Sequence, residues 1–140
     1  MKIQFRSILE IDFEFLWRLH NAALKEYVGR TWGWDENWQR KDFLEKFNTG
    51  DGEIIVFEGK DIGFLWVIET ENEILLASIR LLPEFQKRRV GTRIIRDLIE
   101  KSNKPVKLQV LKVNPARGLY ERLGFKISGE TETHYWMRKE

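Results

Sequence analysis

The sequence predicts an α/β (α+β) fold: a single mixed β-sheet with helices on both faces. Three observations lead there. Short strand-like runs alternate with amphipathic helical segments along the chain. The middle stretch, "EIIVFEGKDIGFLWVIETENEILLASIRLLP", reads as three strands joined by tight turns at Gly59-Lys60 and Glu71-Asn72. A helix-length segment then separates the last of these from another strand, which calls for a parallel, right-handed crossover. At 140 residues the chain fits one domain, residues 1–140, and is long enough to bury a core without disulfides or metal.

Each element has its own signal. "IQFRSIL" alternates like a first strand. Asp12 is placed to cap a helix running to about Tyr27, with Phe13, Trp17, His20, Leu24 and Tyr27 on one face and Gly29 suited to its end. "RTWGWDENW" then reads as a tryptophan-bearing loop, and Asp35 as the cap of a second helix with Phe43, Leu44 and Phe47 as its apolar face. Ile74 to Leu82, apolar at its start, reads as a central strand covered on both faces. Val90, Ile94, Ile95, Leu98 and Ile99 define an amphipathic helix from Val90 to about Lys101. "KPVKLQVLKV" is a strand, "NPARGLYERLGF" a short helix ended by Gly124, and "FKISGE" and "THYWMRK" are the last two strands. The order is therefore strand, two helices, three strands, helix, strand, helix, two strands.

Composition excludes several functions. The net charge of +2 is too small for a nucleic-acid binder acting through its whole surface. The absence of cysteine removes disulfides, thiolate zinc sites and a thiol nucleophile. Two histidines far apart in sequence argue against a catalytic metal, and none is expected. No G-x-S-x-G elbow supports a hydrolase. The N-terminus lacks a signal-peptide core and no apolar stretch spans a bilayer, so a cytoplasmic protein without a membrane partner is expected.

The most informative stretch is "LLPEFQKRRVGTRIIRDLIE", residues 81–100. A strand stops at Pro83, a basic run follows, and a helix begins. The first four N–H groups of a helix lack partners, and with the helix dipole they attract an anion. Lys87, Arg88 and Arg89 crowd positive charge at that same end, where the dipole disfavours cations. A bound polyanion relieves the conflict. Gly91 removes a side chain where a ligand would approach the backbone.

"PEFQKRRVGTRII" resembles the pyrophosphate-binding motif of the GCN5-related N-acetyltransferases, Gln/Arg-x-x-Gly-x-Gly/Ala. Gln86 matches its first position and Gly91 its last, while Arg89 stands where the first glycine is usual. "NPARGLYERLGF" resembles the family's later segment through Asn114, Ala116, Tyr120 and Gly124-Phe125. The element order agrees over almost the whole chain. The resemblance implies an acyl-CoA-dependent N-acetyltransferase that moves an acetyl group from acetyl-CoA, as co-substrate, directly to a primary amine.

Site roles follow from the same resemblance. Backbone groups of Leu81 and Leu82 would pair with the pantetheine arm, which in the family lies between the fourth and fifth strands. Gln86, Lys87, Arg88, Arg89, Val90, Gly91 and Thr92 would hold the coenzyme phosphates, and Asn114 would contact the arm. Tyr120 would protonate the departing thiolate; it also fits a core stripe with Ala116, Leu119 and Leu123. For the base, Glu73, Glu130 and His134 are candidates, and His20 reads as a packed or pocket-lining histidine.

The first two helices usually border the acceptor in this family. Trp34 and Trp38, with Tyr27, Glu130 and His134, are the acceptor-binding candidates. The tryptophans equally fit a structural staple between layers. The acceptor would be a small molecule, a peptide end or a lysine, with no nucleic acid involved, and homodimers occur in the family. A non-catalytic acyl-CoA sensor with the same fold is the alternative.

Overall fold

The computed structural model describes residues 2–140. Its elements are β1 (Ile3–Ser7), α1 (Phe13–Trp32), α2 (Glu36–Phe47), β2 (Glu53–Phe57), β3 (Lys60–Glu69), β4 (Ile74–Leu81), α3 (Val90–Lys101), β5 (Val106–Leu111), α4 (Ala116–Arg122), β6 (Lys126–Glu130) and β7 (His134–Lys139). Short 3-10 turns at Glu10–Asp12 and Pro83–Phe85 precede α1 and follow β4. The strands form one seven-stranded sheet in the order β1-β2-β3-β4-β5-β7-β6. β4 and β5 pair in parallel, as a helical crossover requires, while β7 pairs antiparallel with both β5 and β6.

The chain divides into two compact units. One runs to Trp66 and includes Ser78–Arg88; the other comprises Val67–Ala77 and Arg89–Glu140.

In the first unit Leu16 and Leu19 of α1 pack with Ile54 of β2, and Phe15, Phe43, Phe47, Val56, Phe64 and Leu82 close around them. Burying each aliphatic side chain of this kind contributes about 1.5–3 kcal/mol. α2 contributes through Phe43 and Phe47, whose rings lie 5.7 and 5.2 Å from that of Phe13. Leu44, expected on the same face, is exposed. Phe43 and Phe47 are four residues apart and share one stripe, and Leu44 stands about 100° around the helix from it.

Two helix boundaries differ from expectation. α1 does not end near Tyr27 and Gly29. It continues to Trp32 and closes on Gly33, whose φ is 85° and whose N–H donates to the Gly29 carbonyl at 3.0 Å. A glycine inside a helix costs only about 1 kcal/mol, whereas the left-handed residue at the end strongly favours one. The tryptophan segment is therefore not a loop: Trp32 closes α1, Trp38 lies within α2, and Gly33–Asp35 connects them. Asp35 caps α2 as expected, accepting from the Trp38 N–H at 3.0 Å.

Asp12, by contrast, makes no cap bond to α1. It is buried, it accepts two bonds of 2.9 Å from Arg6, and it accepts the Leu9 N–H at 2.7 Å. The preceding 3-10 turn already carries the chain into the helix, and a buried carboxylate is best satisfied by a guanidinium.

The β2–β3 register shifts between Ile55 and Val56, leaving Ile62 as the extra residue of a bulge. The Ile62 carbonyl accepts the Leu82 N–H at 2.9 Å. Next to it, a Cβ on Gly63 would overlap the Arg80 carbonyl oxygen and press on the Leu81 side chain. Glycine is what lets β3 lie this close to the end of β4.

In the second unit the core is built from Ile74, Leu76, Val106, Leu108, Val110 and Met137 of the sheet, with Val90, Ile94 and Ile95 of α3 also buried. The start of β4 is covered as expected, although Ala77 is exposed. Gly124, with φ 98°, ends α4, and the following Phe125 N–H returns to the Tyr120 carbonyl at 3.0 Å.

Candidate active site

The basic turn is organised from the end of β4. Pro83 begins a 3-10 turn in which the Phe85 N–H donates to the Leu82 carbonyl at 2.9 Å. Phe85 is buried edge-on against Phe57, ring centroids 6.1 Å apart. Gln86 folds back so that its Nε2 donates to the Leu81 carbonyl at 3.1 Å. Leu81 is buried, and the Leu82 N–H is held by Ile62, so Leu82 has no amide free for a ligand.

Lys87, Arg88 and Arg89 are exposed, and none of them forms an ion pair among the described residues. The Arg88 guanidinium instead lies 5.7 and 5.4 Å from the ring centres of Phe57 and Phe85. Arg89 immediately precedes α3 in the left-handed conformation, φ 62° and ψ 11°. That is the conformation the family's glycine permits freely; a side chain there costs roughly 1–2 kcal/mol. Val90 and Gly91 are buried and Thr92 is half-buried.

Tyr120 is buried in α4, its ring 6.0 Å from that of Phe125. Its hydroxyl makes no hydrogen bond among the described residues. Burial pushes the phenol up to about 12, so it keeps its proton at neutral pH. Asn114 caps the same helix: its Oδ1 accepts the Ala116 N–H at 2.9 Å. The amide Nδ2 makes no hydrogen bond among the described residues.

Around α1 and α2 the aromatic residues enclose a hollow of about 700 Å³, walled by Trp32, Trp34 and Trp38 with His20, Asp35 and Lys46. Trp34 and Trp38, singled out in the sequence, come together here. Trp34 is partly a staple, since it approaches Trp17 and His20 and its Nε1 donates to Glu36 at 2.6 Å. Trp38 is 60% exposed and is free to meet a ligand. The wall takes Val28 rather than Tyr27, which sits one residue earlier on α1.

His20 stacks on Trp17 and lies 4.9 Å from the Phe43 ring. Its Nε2 is 3.4 Å from Gln39 Oε1, and its Nδ1 is buried without a partner among the described residues. Burial, and then the charge of Arg80, pull its pKa down to about 4. Arg80, on β4 next to Leu81, has its guanidinium 6.0 Å from the Phe64 ring centre. Its surface is only partly covered, but protein crowds the charged head and desolvation pulls it down to about 10. It remains a cation at neutral pH. In the sequence Arg80 stands out as a lone charge inside an apolar strand.

The base candidates are constrained. The Glu73 carboxylate is bound to Lys107 at 2.7 Å and Arg138 at 3.3 Å, which lowers its pKa. It lies just before β4, at the opposite end from Leu81. Glu130 pairs with Lys112 at 2.7 Å. His134 opens β7; its Nδ1 is 2.8 Å from Thr133 Oγ1, and burial lowers its pKa.

Residues 50–127, more than half the chain, match the family model described as the acetyltransferase (GNAT) domain, and the chain belongs to that family. The fold agrees. The PaiA N-acetyltransferase of Thermoplasma acidophilum, solved in complex with coenzyme A, superposes with a TM-score of 0.72 at 18% identity, over 100% of this chain and 99% of that one. The ribosomal-protein-S18-alanine N-acetyltransferase of Escherichia coli superposes with a TM-score of 0.67 at 20% identity, over 99% and 93%. Among curated sequences, the large ribosomal subunit protein uL24 of Alteromonas mediterranea is 27% identical over 90 residues, 61% of this chain and 86% of that protein. Among the described residues no helix is long and apolar enough to cross a membrane.

Proposed function

We propose that this protein is an N-acetyltransferase that transfers an acetyl group from acetyl-CoA to a primary amine by direct attack. The observation that carries the reading is the turn Gln86–Thr92: three unpaired cations and a left-handed Arg89 at the mouth of α3. Helix N–H groups and these side chains suit a pyrophosphate. The PaiA enzyme, with its bound coenzyme A, supports the same use of the fold.

In this reading the turn grips the coenzyme phosphates, and the Leu81 backbone and Asn114 Nδ2 orient the pantetheine arm. The amine attacks the thioester carbon, the C–S bond breaks, Tyr120 gives its proton to the departing thiolate, and the proton shed by the acylated nitrogen passes through solvent to restore the phenol. Positioning two substrates supplies most of the acceleration. The chain needs no covalent intermediate, and it has no cysteine to form one.

A second reading, an acyl-CoA sensor without transfer, is favoured by one observation: Glu73 and Glu130 are both tied up in ion pairs. Calorimetry with acetyl-CoA, with adenosine 3′,5′-bisphosphate and an RNA oligomer as controls, followed by thiol release with an amine panel, tests both. Tight thioester binding with amine-dependent thiol release supports the enzyme. Binding without release supports the sensor, and RNA binding in place of acetyl-CoA overturns both.

A further inference from the structure

The unpaired cation inside the first unit has no role in the chemistry above. Arg80 lies on β4 over the Phe64 ring, and Phe64 itself packs on the α1 cluster of Leu16 and Leu19. Phe64 thus links Arg80 to the cluster that α1 packs on, and the charge of Arg80 acts on His20. Among the described residues no carboxylate pairs with Arg80. Arg6 holds Asp12 and Asp61, Arg40 holds Glu14, and Lys46 holds Asp42, whereas the basic side chains of this unit without such a pair, such as Arg18, Lys60 and Arg88, are exposed. Crowded charges in proteins are normally paired, because losing water without gaining an anion is costly. His20, its neighbour, also carries a buried ring nitrogen without a partner, and it forms part of the wall of the tryptophan hollow.

We propose that Arg80 is the anchor for a carboxylate on the amine acceptor, so that the acceptor is an amino-acid-like molecule bearing both groups. The inference rests on the acetyltransferase reading for the amine, and on Arg80 alone for the carboxylate. A planar guanidinium pairs with a carboxylate through two parallel hydrogen bonds. One cation balances one negative charge; a phosphate dianion would call for more.

The test uses the intact protein and the proteinogenic amino acids beside their amides, with O-phosphoethanolamine as the phosphate probe. Calorimetry without acetyl-CoA reads binding alone. At least one amino acid is expected to bind about tenfold or more tighter than its amide, as a charged hydrogen-bonded pair provides. Arg80→Met removes that preference and Arg80→Lys restores part of it. On the wild-type protein, NMR follows the two histidines. The groups acting on His20 are Gln39, Asp42 and Lys46 from α2 and Arg80 from β4. A carboxylate on Arg80 raises the His20 midpoint, and the amide leaves it in place.

Amino acids binding no better than their amides, with a fixed His20 midpoint, would overturn the proposal, as would preference for the phosphate probe. Carboxylate binding that follows Arg80 without any thiol release would uphold this site and sink the acetyltransferase reading. Thiol release with no carboxylate preference would do the reverse.

Discussion

His20 stacks on Trp17 with ring centroids 5.8 Å apart and planes 22° from parallel, and its Nδ1 is buried with no hydrogen-bond partner among the described residues. The imidazole is thus held neutral, its pKa drawn from 6.5 to about 4 by burial and by Arg80. The sign follows directly. As pH falls through 6.5 the unfolded chain takes up a proton that the folded chain refuses until about 4. This contribution to stability is therefore complete above pH 6.5 and is lost towards pH 4. Urea unfolding at stepped pH should show His20→Gln losing less stability than wild type over that window, by up to about 3 kcal/mol. Identical slopes would show that the ring is solvated.

Arg89 occupies the left-handed region at the start of α3. Arg89→Gly should stabilise the fold by about 1 kcal/mol, and Arg89→Val, β-branched at φ 62°, should destabilise it by more. Thermal unfolding reads both. A Val variant as stable as the Gly variant would mean that the turn rearranges.

Gly91→Glu introduces bulk and a negative charge at the first turn of α3. Acetyl-CoA affinity should fall at least about tenfold, measured calorimetrically on protein whose circular dichroism is unchanged. Unaltered affinity with an intact fold would move the pyrophosphate elsewhere.

Tyr120→Phe removes a hydroxyl that makes no hydrogen bond among the described residues, so stability should change by less than about 1 kcal/mol. Turnover should drop by about 10²-fold or more while acetyl-CoA affinity stays within a few-fold. Equal turnover would return Tyr120 to a core role.

Asp12→Ala strips Arg6 of one of its two carboxylates and frees the Leu9 N–H. Denaturation should report a loss of about 2 kcal/mol, with Asp61 limiting the damage to Arg6. A change within about 0.5 kcal/mol would place the pair among ordinary surface bridges.

Local chemistry was legible in the sequence. Periodicity located every strand and helix, because apolar spacing of two or about 3.6 residues is set by each segment alone. α3 runs from Val90 to Lys101 as read, and Asp35 caps α2. The basic turn and its glycine were also visible, since they lie within a few consecutive residues. The tertiary structure decided whatever depends on distant partners. Asp12 chose Arg6 over the helix end, and Gly29 stayed inside α1 while Gly33 closed it. β7 inserted between β5 and β6, which no spacing announces. Glu73 and Glu130, read as base candidates, found cations, while Arg80 found no carboxylate among the described residues. A charge's fate is fixed by what the fold brings within a few ångströms of it, and that information is shared among segments far apart in sequence.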